Sequence, residues 1–214
     1  MNTNKENLEN LITDNPKLHD WGRGLVSGGL GPPILSKITT YLLEEFGESN
    51  FCSLETGAGL STLVFAAAIP KRHIAINPDH ELKKRIFDEA ERRSISLENV
   101  EYITEFSEDV LPDLAKREAV DLALIDGGHG WPTVFVDFCY ANMMLRKGGI
   151  MIVDDITLYP CTALYMLLKH QPGWVLEEII YLKTAFFRKE TAAVRLPDFG
   201  GQPYLTNNLI QHRT

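Results

Sequence analysis

The sequence is poor in cysteine, in positive charge and in long apolar runs, and each shortage excludes something. Its 214 residues include three cysteines, Cys52, Cys139 and Cys161. They form no metal-like pair, and an odd number in a chain of this length does not build a disulfide framework. A reducing, cytoplasmic setting is expected. Lys and Arg number 21 against 29 Asp and Glu, for a formal net charge of -8. Non-specific nucleic-acid binding relies on clustered Lys and Arg releasing counterions from phosphates, so nucleic acid is a poor candidate substrate. The start, MNTNKENLENLITDN, lacks the apolar stretch of a signal peptide, and no later run reaches the ~18 apolar residues that a membrane span needs. The reading is a soluble, unexported chain. A hydrophobic content of 44% suits one α/β domain with a full core.

Residues 1–31 are read as a polar and Gly-rich entry segment, its Gly22–Gly31 connector a candidate lid. After Pro32-Pro33, apolar residues recur at Ile34, Leu35, Ile38, Leu42, Leu43 and Phe46, which is helical spacing. From Phe51 onward, short apolar runs at 51–54, 72–76, 100–104, 121–125 and 149–153 alternate with amphipathic stretches. That alternation predicts βαβ units, with parallel strands covered by helices on both faces. The runs Trp174 to Tyr181 and Thr184 to Lys189 are separated by a couple of residues and predict an antiparallel hairpin. The expected fold is therefore α/β: a Rossmann-like, doubly wound, seven-stranded and mostly parallel sheet closed by a C-terminal hairpin, over residues 32–195. The tail 196–214 carries little pattern; it is read as loose or as packing on a partner chain, such as a second copy in a homodimer.

The first predicted strand runs into Glu55-Thr56-Gly57-Ala58-Gly59-Leu60-Ser61-Thr62. A turn this tight between strand and helix needs residues without Cβ, so that a ligand can meet backbone amides. Gly57 and Gly59 supply that, and Ser61 or Thr62 can cap the helix. Glu55 suits a cationic ligand, such as the aminoacyl and sulfonium end of S-adenosylmethionine, better than a pyrophosphate. The pattern Gly-x-Gly-x-x-Thr also lacks the third glycine of the dinucleotide fingerprint. At the end of the next strand, where an acidic residue would hold ribose, stand Ala75 and Asn77; Asn77 is the candidate contact, while Asp79 can reach ribose or start the following helix.

The fourth strand ends in Asp126-Gly127-Gly128-His129-Gly130-Trp131-Pro132, and the fifth in Asp154-Asp155. Ligands of an open parallel sheet sit outside the carboxyl ends of its strands, so both groups are expected to face the glycine loop's crevice. Three converging carboxylates repel unless a cation or a shared proton compensates, and oxygen-only ligands point to a divalent metal, Mg²⁺. His129, on a glycine-rich loop, is placed to take a proton from a substrate hydroxyl. Trp131 is expected in the substrate wall. Asp137 can orient His129 or face water. His19, His73, His80, His170 and His212 are read as structural or solvated.

Over residues 32–190 the chain resembles the class I methyltransferases, and within them the metal-dependent small-molecule O-methyltransferases of the catechol and macrolide-sugar type. Asp126 and Asp154 are 28 residues apart, the same register as that family's metal ligands. The resemblance implies that Asp126, Asp154 and Asp155 hold the metal and that His129 takes the catalytic position. It implies that Glu55, Gly57 and Gly59 form the cofactor loop and that Ser107 and Glu108 cradle adenine. The expected activity is S-adenosylmethionine-dependent, Mg²⁺-assisted O-methylation of a sugar, phenol or similar small molecule, with His129 as general base. Three rivals are carried alongside it: a metal-independent methyltransferase, an NAD-dependent oxidoreductase and a non-catalytic S-adenosylmethionine-binding subunit.

Overall fold

A computed structural model describes residues 3–196. In chain order its elements are α1 (Thr3–Asp14), β1 (His19–Asp20), β2 (Leu25–Val26), α2 (Pro32–Thr40), a π-helical stretch over Tyr41–Phe46, β3 (Cys52–Thr56) and α3 (Leu60–Ala67). There follow β4 (Arg72–Ile76), α4 (His80–Arg92), β5 (Val100–Ile103), α5 (Ser107–Leu114), β6 (Val120–Ile125) and α6 (Thr133–Met144). The last are β7 (Leu145–Val153), α7 (Tyr159–His170), β8 (Trp174–Ile180) and β9 (Thr184–Lys189).

Each apolar run read as a strand pairs into one sheet of order β5-β4-β3-β6-β7-β9-β8. Strands β3 to β7 are parallel, and β9 runs antiparallel to both of its neighbours. The expected seven-stranded, mostly parallel sheet with one reversed strand is what forms. Two buried clusters lie on its two faces. One is built with Leu35 of α2, Leu63 of α3 and Ile86 of α4, the other with Leu111 of α5, Phe138 of α6 and Leu164 of α7. Strands apolar on both faces are the consequence of that double cover. The helices start where local chemistry provides for them: Asp79 Oδ1 accepts the N–H groups of Glu81 and Leu82, at 2.8 and 2.9 Å, and opens α4. Asp79 is thus a helix cap rather than a ribose contact.

The entry segment is more than a polar lead. In α1, Leu8, Leu11 and Ile12 are buried in the first cluster, at the i, i+3, i+4 spacing of a narrow apolar stripe. Only the stretch after it, with the small β1–β2 ladder, reaches the carboxyl edge of the sheet. Among the described residues no helix is long and apolar enough to cross a membrane, and all three cysteines are free thiols. The expectation for the tail falls, Leu196 apart, outside the described residues. The sheet order reverses between β3 and β6, so the loops after these two strands meet at the switch point of the fold.

Candidate active site

The glycine loop is stitched to both neighbouring strands. Gly57 N–H donates to Ile76 O and Asp126 N–H to Thr56 O, each at 2.9 Å. Gly57 has φ +88°, and a Cβ there would lie 2.3 Å from Asp126 O, so conformation and close approach both require glycine. Gly59 N–H donates to Thr62 Oγ1 at 3.1 Å, and the Thr62 hydroxyl donates to Glu55 Oε1. Thr62, not Ser61, therefore supports the loop's entry into α3; Ser61 is largely buried and lines a small recess beside Gly59. Glu55 was expected to face a cationic ligand. It is instead fully buried, with His73 Nε2 3.2 Å from Oε1, and does not line the main cavity. The strand pleat explains this: Glu55 shares a face with Ser53, whose hydroxyl lies 2.9 Å from His73 Nδ1. Glu55 thus acts on the loop through Thr62, from beneath.

Beside the loop opens a cavity of about 600 Å³. It is lined by Ile76 at the end of β4 and Asn77 just after it, by Phe106, Ser107 and Glu108 at the start of α5, and by Thr133. Ser107 Oγ donates to Glu108 Oε2 at 3.3 Å and the Thr133 hydroxyl donates to Oε1, which, with Thr133 the larger contribution, holds the Glu108 carboxyl below its ordinary range. Asn77 N–H donates to Ile103 O at 3.1 Å, so the residue's place at the cavity edge is fixed by the sheet. His19, Trp21 and Gly29 line the cavity too, which brings part of the candidate lid to its mouth. The His19 ring lies over the glycine loop: a Cβ on Gly59 would come within 2.6 Å of its Nε2. Burial first, then Arg85, lowers the His19 pKa, so this ring is neutral near pH 7. Trp131, expected in the wall, is 75% exposed, packs on Phe135 with ring centres 5.3 Å apart and does not line the cavity.

Asp126, His129 and Asp155 also line this cavity, and the fully buried Asp154 lies behind them. His129 Nε2 is 3.2 Å from Asp155 Oδ2 and 4.0 Å from Asp126 Oδ1, while its Nδ1 is 3.8 Å from Cys161 Sγ. Burial, together with the neighbouring Asp154 carboxylate, pushes the Asp126 carboxyl well above its ordinary range. The sequence-predicted cluster does assemble, but around a cation supplied by the chain. Lys183 Nζ donates to Asp154 Oδ2 and lies 3.1 Å from Asp155 Oδ1. The Thr184 hydroxyl donates to the remaining oxygen of Asp154.

A divalent ion needs several oxygens turned to one point at about 2.0–2.6 Å. Here both oxygens of fully buried Asp154 are taken, and those of Asp155 face Lys183 and His129. Among the described residues no group of three or more His, Cys, Asp or Glu side chains is arranged to hold a metal ion. As arranged, these residues do not fit the Mg²⁺ expected from the sequence.

Four residues carry more of the site than the sequence reading allowed. Lys183 sits in a two-strand turn, where a lysine ordinarily points to water. His19 and His73, read as structural or solvated, respectively cover the glycine loop from above and support it from below. Asp137 does not face water: it is fully buried, near the hydroxyls of Thr56 and Ser107, and burial raises its pKa to about 6.

The strand order, with its reversed strand between β7 and β8, and a cavity at the carboxyl edge formed by a glycine loop define the class I methyltransferase fold. Residues 54–156 match the family model described as a methyltransferase domain. No curated protein sequence matches the chain significantly. Among solved structures it is similar to the O-methyltransferase TomG from Streptomyces achromogenes, involved in tomaymycin synthesis and determined with SAM. That pair shares 15% identity at TM-score 0.68, covering 85% of this chain and 90% of the other. The O-methyltransferase from Bacillus cereus, determined with SAH, is 19% identical at TM-score 0.60, covering 85% and 88%. An rRNA methylase from Streptococcus thermophilus is 14% identical at TM-score 0.55, covering 72% and 95%. At such identities the likeness is one of fold.

Proposed function

We propose that the chain methylates a hydroxyl of a small molecule with S-adenosylmethionine, with His129 as the proton acceptor and no divalent metal in the site. One observation carries this reading: the glycine loop, the Ser107–Glu108 edge and the His129–Asp155 pair open onto a single cavity. Gly57 and Ala58 offer backbone to the aminoacyl end of the cofactor, Asn77 takes the ribose hydroxyls, Ile76 and Phe106 face the base, and Ser107 and Glu108 meet its polar edge. When bound, S-adenosylmethionine supplies a methyl group on a sulfonium centre, which the acceptor oxygen takes as S-adenosylhomocysteine is left.

In the tautomer that carries its proton on Nδ1, which lies 3.8 Å from Cys161 Sγ, His129 removes the hydroxyl proton through Nε2. The imidazolium so formed lies beside Asp155 Oδ2, 3.2 Å away, which stabilises it. Holding acceptor and cofactor together in this cavity supplies most of the acceleration. Four exposed apolar residues, Leu158, Tyr159, Tyr181 and Leu182, each lie within three residues of Ile156 or Lys183, which are joined by a backbone hydrogen bond. They suit an acceptor with an apolar body, such as a phenol, and the net charge of -8 disfavours RNA. Three free thiols suit a reducing cytoplasm.

Calorimetry with S-adenosylhomocysteine and NAD, followed by a panel of phenols and sugars with S-adenosylmethionine, tests the reading. Expected are one S-adenosylhomocysteine site per chain, no NAD binding, methylation of a hydroxyl compound unaffected by EDTA, and loss of cofactor binding in Gly57→Ala. Tighter binding of NAD than of S-adenosylhomocysteine, or a rate abolished by EDTA, refutes it.

A further inference from the structure

We propose that Lys183 is the resident cation of the carboxylate cluster: its ammonium holds Asp154 and Asp155 where a divalent ion would otherwise stand, and through Asp155 it orients His129. The proposal rests on the reading of this cavity as a methyl-transfer centre. Lys183 is a positioning residue, since it does not line the cavity itself.

Three observations support it. Asp154 is fully buried, and a buried carboxylate requires a permanent counter-charge together with hydrogen bonds to its oxygens. Lys183 gives the charge and one bond, and the Thr184 hydroxyl gives the other. The backbone is committed to this placement: Ile156 N–H donates to Lys183 O at 2.9 Å, tying the turn to the chain just beyond Asp155. The turn itself is strained. Tyr181 and Leu182 have φ +54° and +55°, in the left-handed region that side chains of their kind rarely adopt, while Asp155 at φ +51° takes a conformation open to aspartate. Lys183 N–H donates to Ile180 O at 3.0 Å, closing a tight two-residue hairpin turn whose usual residues are Asn and Gly. Positive φ at Tyr181 and Leu182 is what this two-residue turn demands, and the turn presents Lys183 to the carboxylates. Gly29 covers the pair from the entry segment; a Cβ there would lie 3.6 Å from Lys183 Nζ.

The test uses the full chain with S-adenosylhomocysteine present. Wild type, Lys183→Met and Lys183→Arg are titrated with Mn²⁺, followed by the electron spin resonance of the free ion. Wild type and Lys183→Arg are expected to show no site tighter than about 1 mM, and Lys183→Met to gain one at least about tenfold tighter, because removing the ammonium leaves the carboxylates uncompensated. The imidazole nitrogen NMR signals of His129 are expected to move in Lys183→Met and to stay in Lys183→Arg. One tight Mn²⁺ per wild-type chain overturns the proposal, as does a folded Lys183→Met that neither gains Mn²⁺ nor shifts the His129 signals. Should Lys183→Met fail to fold, the wild-type titration and Lys183→Arg decide. Absence of S-adenosylhomocysteine binding in wild type would count against the methyl-transfer reading while leaving the Mn²⁺ result to stand.

Discussion

A buried carboxylate without a hydrogen-bond partner prefers to be neutral, and both oxygens of Asp137 are in that position. Its folded pKa of about 6 lies above the ordinary value of 3.8. The protonated form is therefore favoured by folding, so the contribution is fully present below the ordinary value and is lost as pH rises through 6. The loss amounts to about 3 kcal/mol across that window, since each pH step between the two values is worth ~1.4 kcal/mol. Asp137→Asn removes the titration, so its unfolding free energy relative to wild type is expected to rise between about pH 4 and pH 6.5 in urea titrations. A difference that does not change with pH would contradict the assignment. At His129 the consequence is kinetic. His129→Ala is expected to lower kcat about 10²–10⁴-fold, the usual worth of a positioned general base, with S-adenosylhomocysteine affinity unchanged. Calorimetry and initial rates on an acceptor found by screening check both halves, and a fall in cofactor affinity would count against His129 as the proton acceptor.

Among the elements, the β8–β9 hairpin links fold and chemistry most directly. Its turn residues Tyr181 and Leu182 are 72% and 76% exposed, so their side chains bury little that would compensate for positive φ. Replacing them with Asn and Gly, which the turn type favours, is expected to raise stability by about 1–2 kcal/mol while Lys183 stays in register. Thermal unfolding of the Tyr181→Asn, Leu182→Gly double variant measures this, and a lowered Tm would show that the exposed pair contributes contacts of its own. The other end of the molecule presents the converse. α1 shows only Leu8, Leu11 and Ile12 of its stripe to the core, yet all three are buried there. So thin an apolar signal, set among Asn, Glu and Thr, does not distinguish a docked helix from a polar lead in the sequence. Its helicity comes from the surface it packs against more than from its own propensity.

For the molecule as a whole, what was legible followed from local pattern. The strands could be read because apolar runs of four to six residues between amphipathic stretches have few other uses, and the site's edge followed because loops after parallel strands share it. Asp126, His129 and Asp155 were found together for that reason. What escaped depends on pairing between distant segments. Glu55 was turned inward by the pleat of β3, Asp137 was buried by the packing of α6, and Lys183 reaches the cluster only because β9 enters the sheet beside β7. That insertion sets an order of events during synthesis. Domains tend to form as they emerge from the ribosome, and the strands that hold the glycine loop, β3, β4 and β6, are complete by Ile125. β9, although the last strand among the described residues, is an inner strand, and β8 lies outside it. A nascent chain halted after α7 therefore carries the residues of the proposed cofactor cradle yet lacks Lys183: on that proposal the binding residues are synthesised first, and the lysine that positions the acid–base pair follows them.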